Sequence, residues 1–392
     1  MGTRVAVGHA GEGSGEAQGA RAVAEAVAGL GGLAPTFGFA FATSHIDLAA
    51  VARGIKRALP EVPVIGCTTG GEFVGDRISS GGTSVCLVAS DEISVSCALA
   101  SGLRRNTRRA ARQLVRSLQL GRGGARFATP HRTILLLTDG MAGNGETLVD
   151  TLAMESGAEV AIAGGAAGDD AAFVESFVFL DGQVHTDAVV ALELSSVKPI
   201  GVGVHHGWCA ASEPGLVTGS SGTAVTEIDG RPAIEFYRAY ARALGVELTP
   251  ENQNEFVFTH ELGIVLMRDE LKVRAPLGVN PDGSISCASE IPAGQRVRIV
   301  RGDEDAIVNA ARTAAQAAIA DLAGHGCAGA IVFDCVARKL VLKDAFAREV
   351  AAIGEAVQAP LAGFNTYGEI ARVQGQLSGF HNTTAVVVAL PA

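Results

Sequence analysis

Aromatic residues are scarce in this chain: one Trp, three Tyr and 15 Phe make up 5% of its 392 residues. Its core must therefore be built mainly from Ala, Val, Leu and Ile. No uninterrupted apolar run approaches the roughly 18 residues of a membrane helix, so membrane insertion by a helix is not expected. The opening "MGTRVAVGHAGEG" lacks a hydrophobic signal core and reads as the start of a domain, and Ala6 spoils a myristoylation site. Seven cysteines, at 67, 86, 97, 209, 287, 327 and 335, form no C-x-x-C pair. They read as reduced thiols of a cytoplasmic protein rather than a disulfide framework or zinc site. Nine histidines show no H-E-x-x-H spacing, so no metal centre is expected. A net charge of −10 argues against nucleic-acid binding.

What is abundant is glycine, 50 residues of it, and some of it recurs in one pattern. "GCTTGGE" (66–72), "GGAAGDD" (164–170) and "GFNTYGE" (363–369) align without gaps. Each starts with Gly and ends on an acid: Glu72, Asp170 and Glu369. Upstream of each lie an apolar strand, a helix-length segment and a short apolar run, and downstream another β-rich run. The unit is strand, helix, strand, glycine turn, strand, which makes the fold class α/β. Two α/β domains are expected: residues 1–220 with two copies, and 221–392 with the third plus a β-rich insertion.

The turns admit two readings. A nucleophile at Cys67 or Thr68 would define a hydrolase or transferase, but copy two has Gly165, Ala166 and Ala167 in the corresponding places. Glycine turns with a carboxylate are otherwise structural, and loops at strand ends in α/β folds also hold ligands. Thr68, Thr69 and Glu72 from copy one and Asn365, Tyr367 and Glu369 from copy three are thus candidates for a small-molecule pocket, catalysing nothing. His206 and Trp208, in the Gly/Ser-rich connector 198–232, are candidates from the junction. Either His205 or His206 could serve instead as an axial haem ligand. In "GLRRNTRRAARQLVRS", Arg104, Arg108, Arg112 and Arg116 stand four apart, a basic helical stripe that suits either a solvated face or an acidic docking partner.

"VPVIGCTTGGEF" resembles the signature of the FIST N-terminal domain. "DGRPAIEFYRAY", "IPAGQRVRIVRGDED" and "LAGFNTYGEIARVQGQLSGFHNTT" resemble the FIST C-terminal domain. The resemblance implies a sensory module that binds a small, amino-acid-like metabolite. Some stand-alone members of that family are haem proteins that sense nitric oxide and regulate a histidine kinase. It implies no catalytic residue. With no room left for an output domain, the signal is expected to pass to a separate partner protein, a histidine kinase or another signalling protein.

Overall fold

The computed structural model describes residues 2–118, 129–267, 270–373 and 379–392. It is a mixed α/β protein built on three six-stranded sheets that share one strand order. In the first sheet the order is Thr3–Ala10, Thr83–Ser90, Phe37–Thr43, Val64–Thr69, Val178–Leu180, Gln183–His185. In the second it is Ile93–Ser101, Ala188–Ser196, His131–Thr138, Ala161–Ala166, Glu369–Arg372, Phe380–His381. In the third it is Gly201–His205, Ala385–Pro391, Cys327–Cys335, Leu361–Thr366, Glu72–Val74, Arg77–Ser79. The third and fourth strands of each sheet are parallel and the other neighbours antiparallel.

The sequence explains this layering. "FGFAFAT" is buried along its whole length because both faces of its strand are covered. Side chains alternate between those faces. Phe37, Phe39 and Phe41 point into a central core shared by all three sheets, with Leu135, Leu137, Phe333 and Phe364. Ala40 and Ala42 face outward, under the Gly15–Gly29 and Leu48–Ala58 helices. The few aromatics are concentrated where the sheets meet: Phe41 and Phe364 rings lie 4.7 Å apart. Helix starts follow ordinary capping. Asp47 accepts from Ala50 N at 3.0 Å and Asp303 from Ala306 N at 2.8 Å.

The short hairpin after each glycine turn does not stay with its own sheet. The hairpin 72–79 extends the third sheet, 178–185 the first, and 369–381 the second. The exchange is cyclic and interlocks the sheets. The third sheet also takes its edge strand from residues 201–205, so the two expected domains share a sheet. Between that edge strand and the Glu304–Ala320 helix lies the β-rich insertion, a nine-stranded sheet with the Ala233–Ala243 helix. Pro232 precedes that helix and Gly245, at φ 75°, follows it.

Candidate functional site

The three glycine turns meet, and their backbones bond in a closed ring. Gly70 N donates to Asn365 O at 2.8 Å, Tyr367 N to Ala166 O at 3.0 Å, and Gly168 N to Thr68 O at 3.0 Å. A second set reinforces all three sides: Asn365 N to Gly71 O at 2.7 Å, Ala166 N to Gly368 O at 2.8 Å, and Asp170 N to Thr69 O at 3.0 Å. The approach demands glycine. A Cβ on Gly168 would stand 2.9 Å from Gly70 N and 3.0 Å from Tyr367 Cε1.

The side chains of turns one and three serve this ring. Glu72 accepts from Thr69 Oγ1 at 3.2 Å and from Gly82 N at 2.9 Å. Glu369 accepts from the Thr366 hydroxyl and, at 3.1 Å, from Thr384 N. Gly82 and Thr384 each immediately precede the second strand of a sheet, so the two acids tie turn to strand in the same way. Burial pushes Glu72 up to about 7 and Glu369 up to about 8, against hydrogen bonds that lower both. Thr68 accepts from Phe177 N at 3.0 Å. Thr68, Thr69, Glu72, Asn365 and Glu369 are all buried.

Turn two departs from the pattern. Asp170 reaches across to the first sheet, accepting from Thr43 Oγ1 at 2.9 Å, Ser44 N at 2.9 Å and Ser44 Oγ at 2.6 Å. Asp169 holds the following loop through the amides of Phe173, Val174 and Glu175 at 2.6–3.0 Å, and accepts from the Tyr367 hydroxyl. Phe173 stacks on Tyr367 with ring centroids 4.7 Å apart. Asp170, Ala171 and Phe173 all have positive φ, a backbone conformation held by that network.

Beside turns two and three opens a cleft of about 170 Å3. One wall is the end of the His131–Thr138 strand and the start of the Gly145–Ser156 helix, residues 138–140 and 143–147. The facing wall is Gly222, Thr223 and Ala288–Glu290 of the insertion, and Tyr367 and Phe380 come from the third unit. Behind it, Glu146 is clamped by Lys272 Nζ at 2.6 Å and Arg274 Nη2 at 2.7 Å, joining the helix to the insertion. Asp139 is buried at the strand end, accepting from Ser176 Oγ at 2.6 Å and Asp187 N at 2.7 Å.

A second polar centre was not foreseen from sequence. Arg338, 0% exposed, pairs with Glu349 at 2.8 Å and Asp334 at 3.4 Å. It also donates to the carbonyls of His206, Ile307 and Thr383, and its guanidinium lies 5.7 Å from the Trp208 ring centroid. Glu261 bonds the Thr383 hydroxyl alongside, and burial lifts it to about 8. Burial, then Glu349, holds Asp334 well above the usual carboxylate range. This centre fastens the connector, the insertion and the third sheet together.

A description of the FIST N domain matches residues 36–231, and one of the FIST C domain matches residues 233–372. The chain belongs to the FIST family. FIST domains are signal-transduction sensor domains. An uncharacterized Mycobacterium tuberculosis protein is 28% identical over 277 residues, 68% of this chain and 70% of that protein. An uncharacterized Mycobacterium bovis protein is 29% identical over 224 residues, 54% of this chain and 56% of that protein. Two cyanuric acid hydrolase structures, one of them from A. caulinodans, align with TM-scores of 0.36 and 0.32 over 100% of both chains. At 9% identity that likeness is too slight to transfer fold or activity.

Of the residues this FIST chain's sequence singled out for a pocket, Tyr367 lines the cleft. Thr68, Thr69, Glu72, Asn365 and Glu369 are instead engaged in or packed around the ring. Trp208 is buried under Arg338, and His206 belongs to the same centre. The nucleophile reading fares poorly: Cys67 is fully buried, and desolvation lifts its thiol well above the usual range. The histidine pair does not fit haem. His206 Nδ1 accepts from Trp208 N at 2.9 Å, so the neutral ring keeps its proton on Nε2, and it also bonds the backbone of Leu271. Burial, His205 and Arg338 push it down to about 4, and no lone pair is left for iron. His205 stands exposed at its strand end. Among the described residues no group of three or more His, Cys, Asp or Glu could hold a metal ion, and no helix is long and apolar enough to cross a membrane.

The arginine stripe needs correction. Within Leu103–Ser117, Asn106 has φ −163° and ψ 87°, and its Oδ1 accepts from Arg109 N at 2.9 Å. Asn106 is an N-cap that starts a new helix. Arg104 lies on the turn before it, 3.6 Å from Asp139, and is off the stripe. Arg112 pairs with Glu155 at 2.9 Å, while Arg108 and Arg116 are exposed on the same helix. The tail of the basic segment beyond Leu118 lies outside the described residues.

Proposed function

We propose that this FIST protein is a non-enzymatic sensor that seats a small, amino-acid-like metabolite in the cleft between residues 138–147, the insertion and Tyr367. The observation that carries this reading is the composition of the walls. Residues of the FIST N match and residues of the FIST C match face each other across a space that suits a small metabolite. A ligand held between them draws the two domains together, and a binding event becomes a change in their coupling. Tyr367 touches the ligand. Thr68, Thr69, Glu72, Asn365 and Glu369 hold the turns that position it, and His206 and Trp208 anchor the connector through Arg338. The output goes to a separate signalling protein, for which the exposed Arg108 and Arg116 offer an acidic partner a docking face. Seven unpaired cysteines support a reducing, cytoplasmic setting.

The test is a thermal-shift screen of amino acids and small organic acids on wild type and Thr223→Trp, which fills the cleft from its exposed rim. A hit should raise the Tm of wild type and lose at least fivefold in affinity in the variant, with the unliganded Tm unchanged. Equal response of both proteins to every hit would place binding elsewhere and overturn the reading.

A further inference from the structure

Segment Leu103–Ser117 carries six arginines and no acid, in a chain whose net charge is −10. Acids from neighbouring elements answer only two of the six. Asp187 Oδ1 accepts from Arg104 N at 2.6 Å, the Arg104 guanidinium lies 3.6 Å from Asp139, and Arg112 pairs with Glu155 at 2.9 Å. Among the described residues the guanidinium groups of Arg105 and Arg109 have neither an acid nor a hydrogen-bond acceptor.

These two arginines share a cavity. Asn106 N closes a turn onto Gly102 O at 2.9 Å, and the extended backbone of Asn106 then starts the helix afresh. Across that break Arg105, from the turn, and Arg109, from the start of the new helix, line one space of about 360 Å3 with Ser101, Asn106 and Gln113. A Cβ on Gly102, which also borders it, would meet nothing within 4 Å. Asn106 Oδ1 is occupied by Arg109 N, which leaves Nδ2 as a donor. No acid stands among the described residues that line this space. The larger cavity, of about 610 Å3 at the end of the Thr3–Ala10 strand, differs in setting Glu12 and Glu25 beside Arg21 and Arg77. Two guanidinium charges on one cavity repel each other, and an anion between them relieves that repulsion.

We propose that this cavity is a phosphoryl seat, in which the guanidinium forks of Arg105 and Arg109 grip the oxygens of a phosphomonoester, with Asn106 Nδ2 and the Ser101 hydroxyl as further donors. The match is one of charge and of donor number. Two cations and two neutral donors exceed what the two oxygens and single charge of a carboxylate can use, whereas a phosphomonoester offers three oxygens and up to two charges. The volume leaves room for the organic part of the ester. The cavity shares no residue with the cleft, so this inference stands apart from the sensor reading.

The experiment titrates the full, isotope-labelled chain with phenyl phosphate and follows the arginine Nε–Hε resonances. Benzoate, benzenesulfonate and inorganic phosphate serve as parallel probes at equal ionic strength. Phenyl phosphate should shift Arg105 and Arg109 saturably, and should bind at least threefold more tightly above its second ionisation, near pH ~6, than below it. Arg105→Gln and Arg109→Gln should each weaken it about tenfold, and Arg109→Lys, which keeps the charge but loses the fork, at least threefold. Both side chains are exposed, so these variants should keep the ligand-free Tm. Arg112→Gln removes the same charge from the same helix outside the cavity and should weaken binding less than twofold. An absence of saturable shifts at Arg105 and Arg109 would overturn the seat. So would an equal loss in Arg112→Gln and Arg109→Gln, which marks diffuse attraction to a basic helix, or benzoate or benzenesulfonate binding as tightly as the ester. Inorganic phosphate binding as tightly as phenyl phosphate would overturn the assignment to an ester.

Discussion

Turns one and three differ from turn two in what their acids do. Glu72 and Glu369 are sealed in, fix the strand that follows, and are held towards the neutral form by burial. Asp169 is charged and busy: burial opposes its ionisation, but bonds from Tyr367 and the amides of Val174, Glu175 and Phe173 win and lower its pKa. Where the ring is symmetric, the turns are framework. Where the symmetry breaks, at turn two, the backbone is bent, an aromatic pair is half exposed, and a cleft opens next door. A repeated motif thus marks the scaffold, and the departure from it marks the place to look for function.

Four perturbations would sharpen or break that contrast. The largest effect is expected at Arg338, which holds the framework side together. Arg338→Met leaves buried carboxyl groups without their cation and should cost at least about 3–5 kcal/mol in urea unfolding. Adding Glu349→Gln should recover part of the loss.

Next comes pH. The folded pKa of Glu369 is raised from 4.5 to about 8, so the folded chain holds a proton that the unfolded chain releases. Stability should therefore fall as pH rises between these values and level off above about 8, by on the order of a few kcal/mol. Glu369→Gln should flatten this dependence, and Glu72→Gln should flatten it over a narrower window ending near 7. Asp169 has the opposite sign: its pKa lies below 3.8, so its contribution is present near neutrality and is lost as pH falls through the acidic range. Hydrogen exchange in residues 170–176 at low pH reads that directly.

Smaller still is Tyr367→Phe, which keeps the stacking on Phe173 but removes the hydroxyl from Asp169 and Ala171 N. It should cost about 1–2 kcal/mol and speed exchange in that loop more than in the ring. Charge reversal at Arg108 and Arg116 should change stability by no more than about 0.5 kcal/mol, and a partner that docks there would be lost in a salt-sensitive way.

Much of the framework was legible in the sequence because it is local and repeated. The apolar run "FGFAFAT" marked a strand, which the fold buries on both faces, and the spaced Gly and acid of "GCTTGGE" and "GFNTYGE" marked turns. The cyclic exchange of hairpins has no local signal, since each pairs with a strand far away in sequence, such as Phe73 with Gly363. Arg338 sits in a short helix after a strand, where one basic residue forms no pattern. Its importance arises from carbonyls of three distant segments. Asn106, by contrast, was readable: an Asn three residues before Arg109 is an N-cap signal that the regular arginine spacing obscured.

The most direct test of the account is a hydrogen-exchange footprint of the full chain with and without the tightest compound from the thermal-shift screen. The account predicts slowed exchange concentrated in residues 138–147, 222–223 and 288–290, with a smaller effect carried by Tyr367 into 169–176. Protection confined to the ring segments 66–72 and 363–366, or spread evenly over the chain, would contradict it.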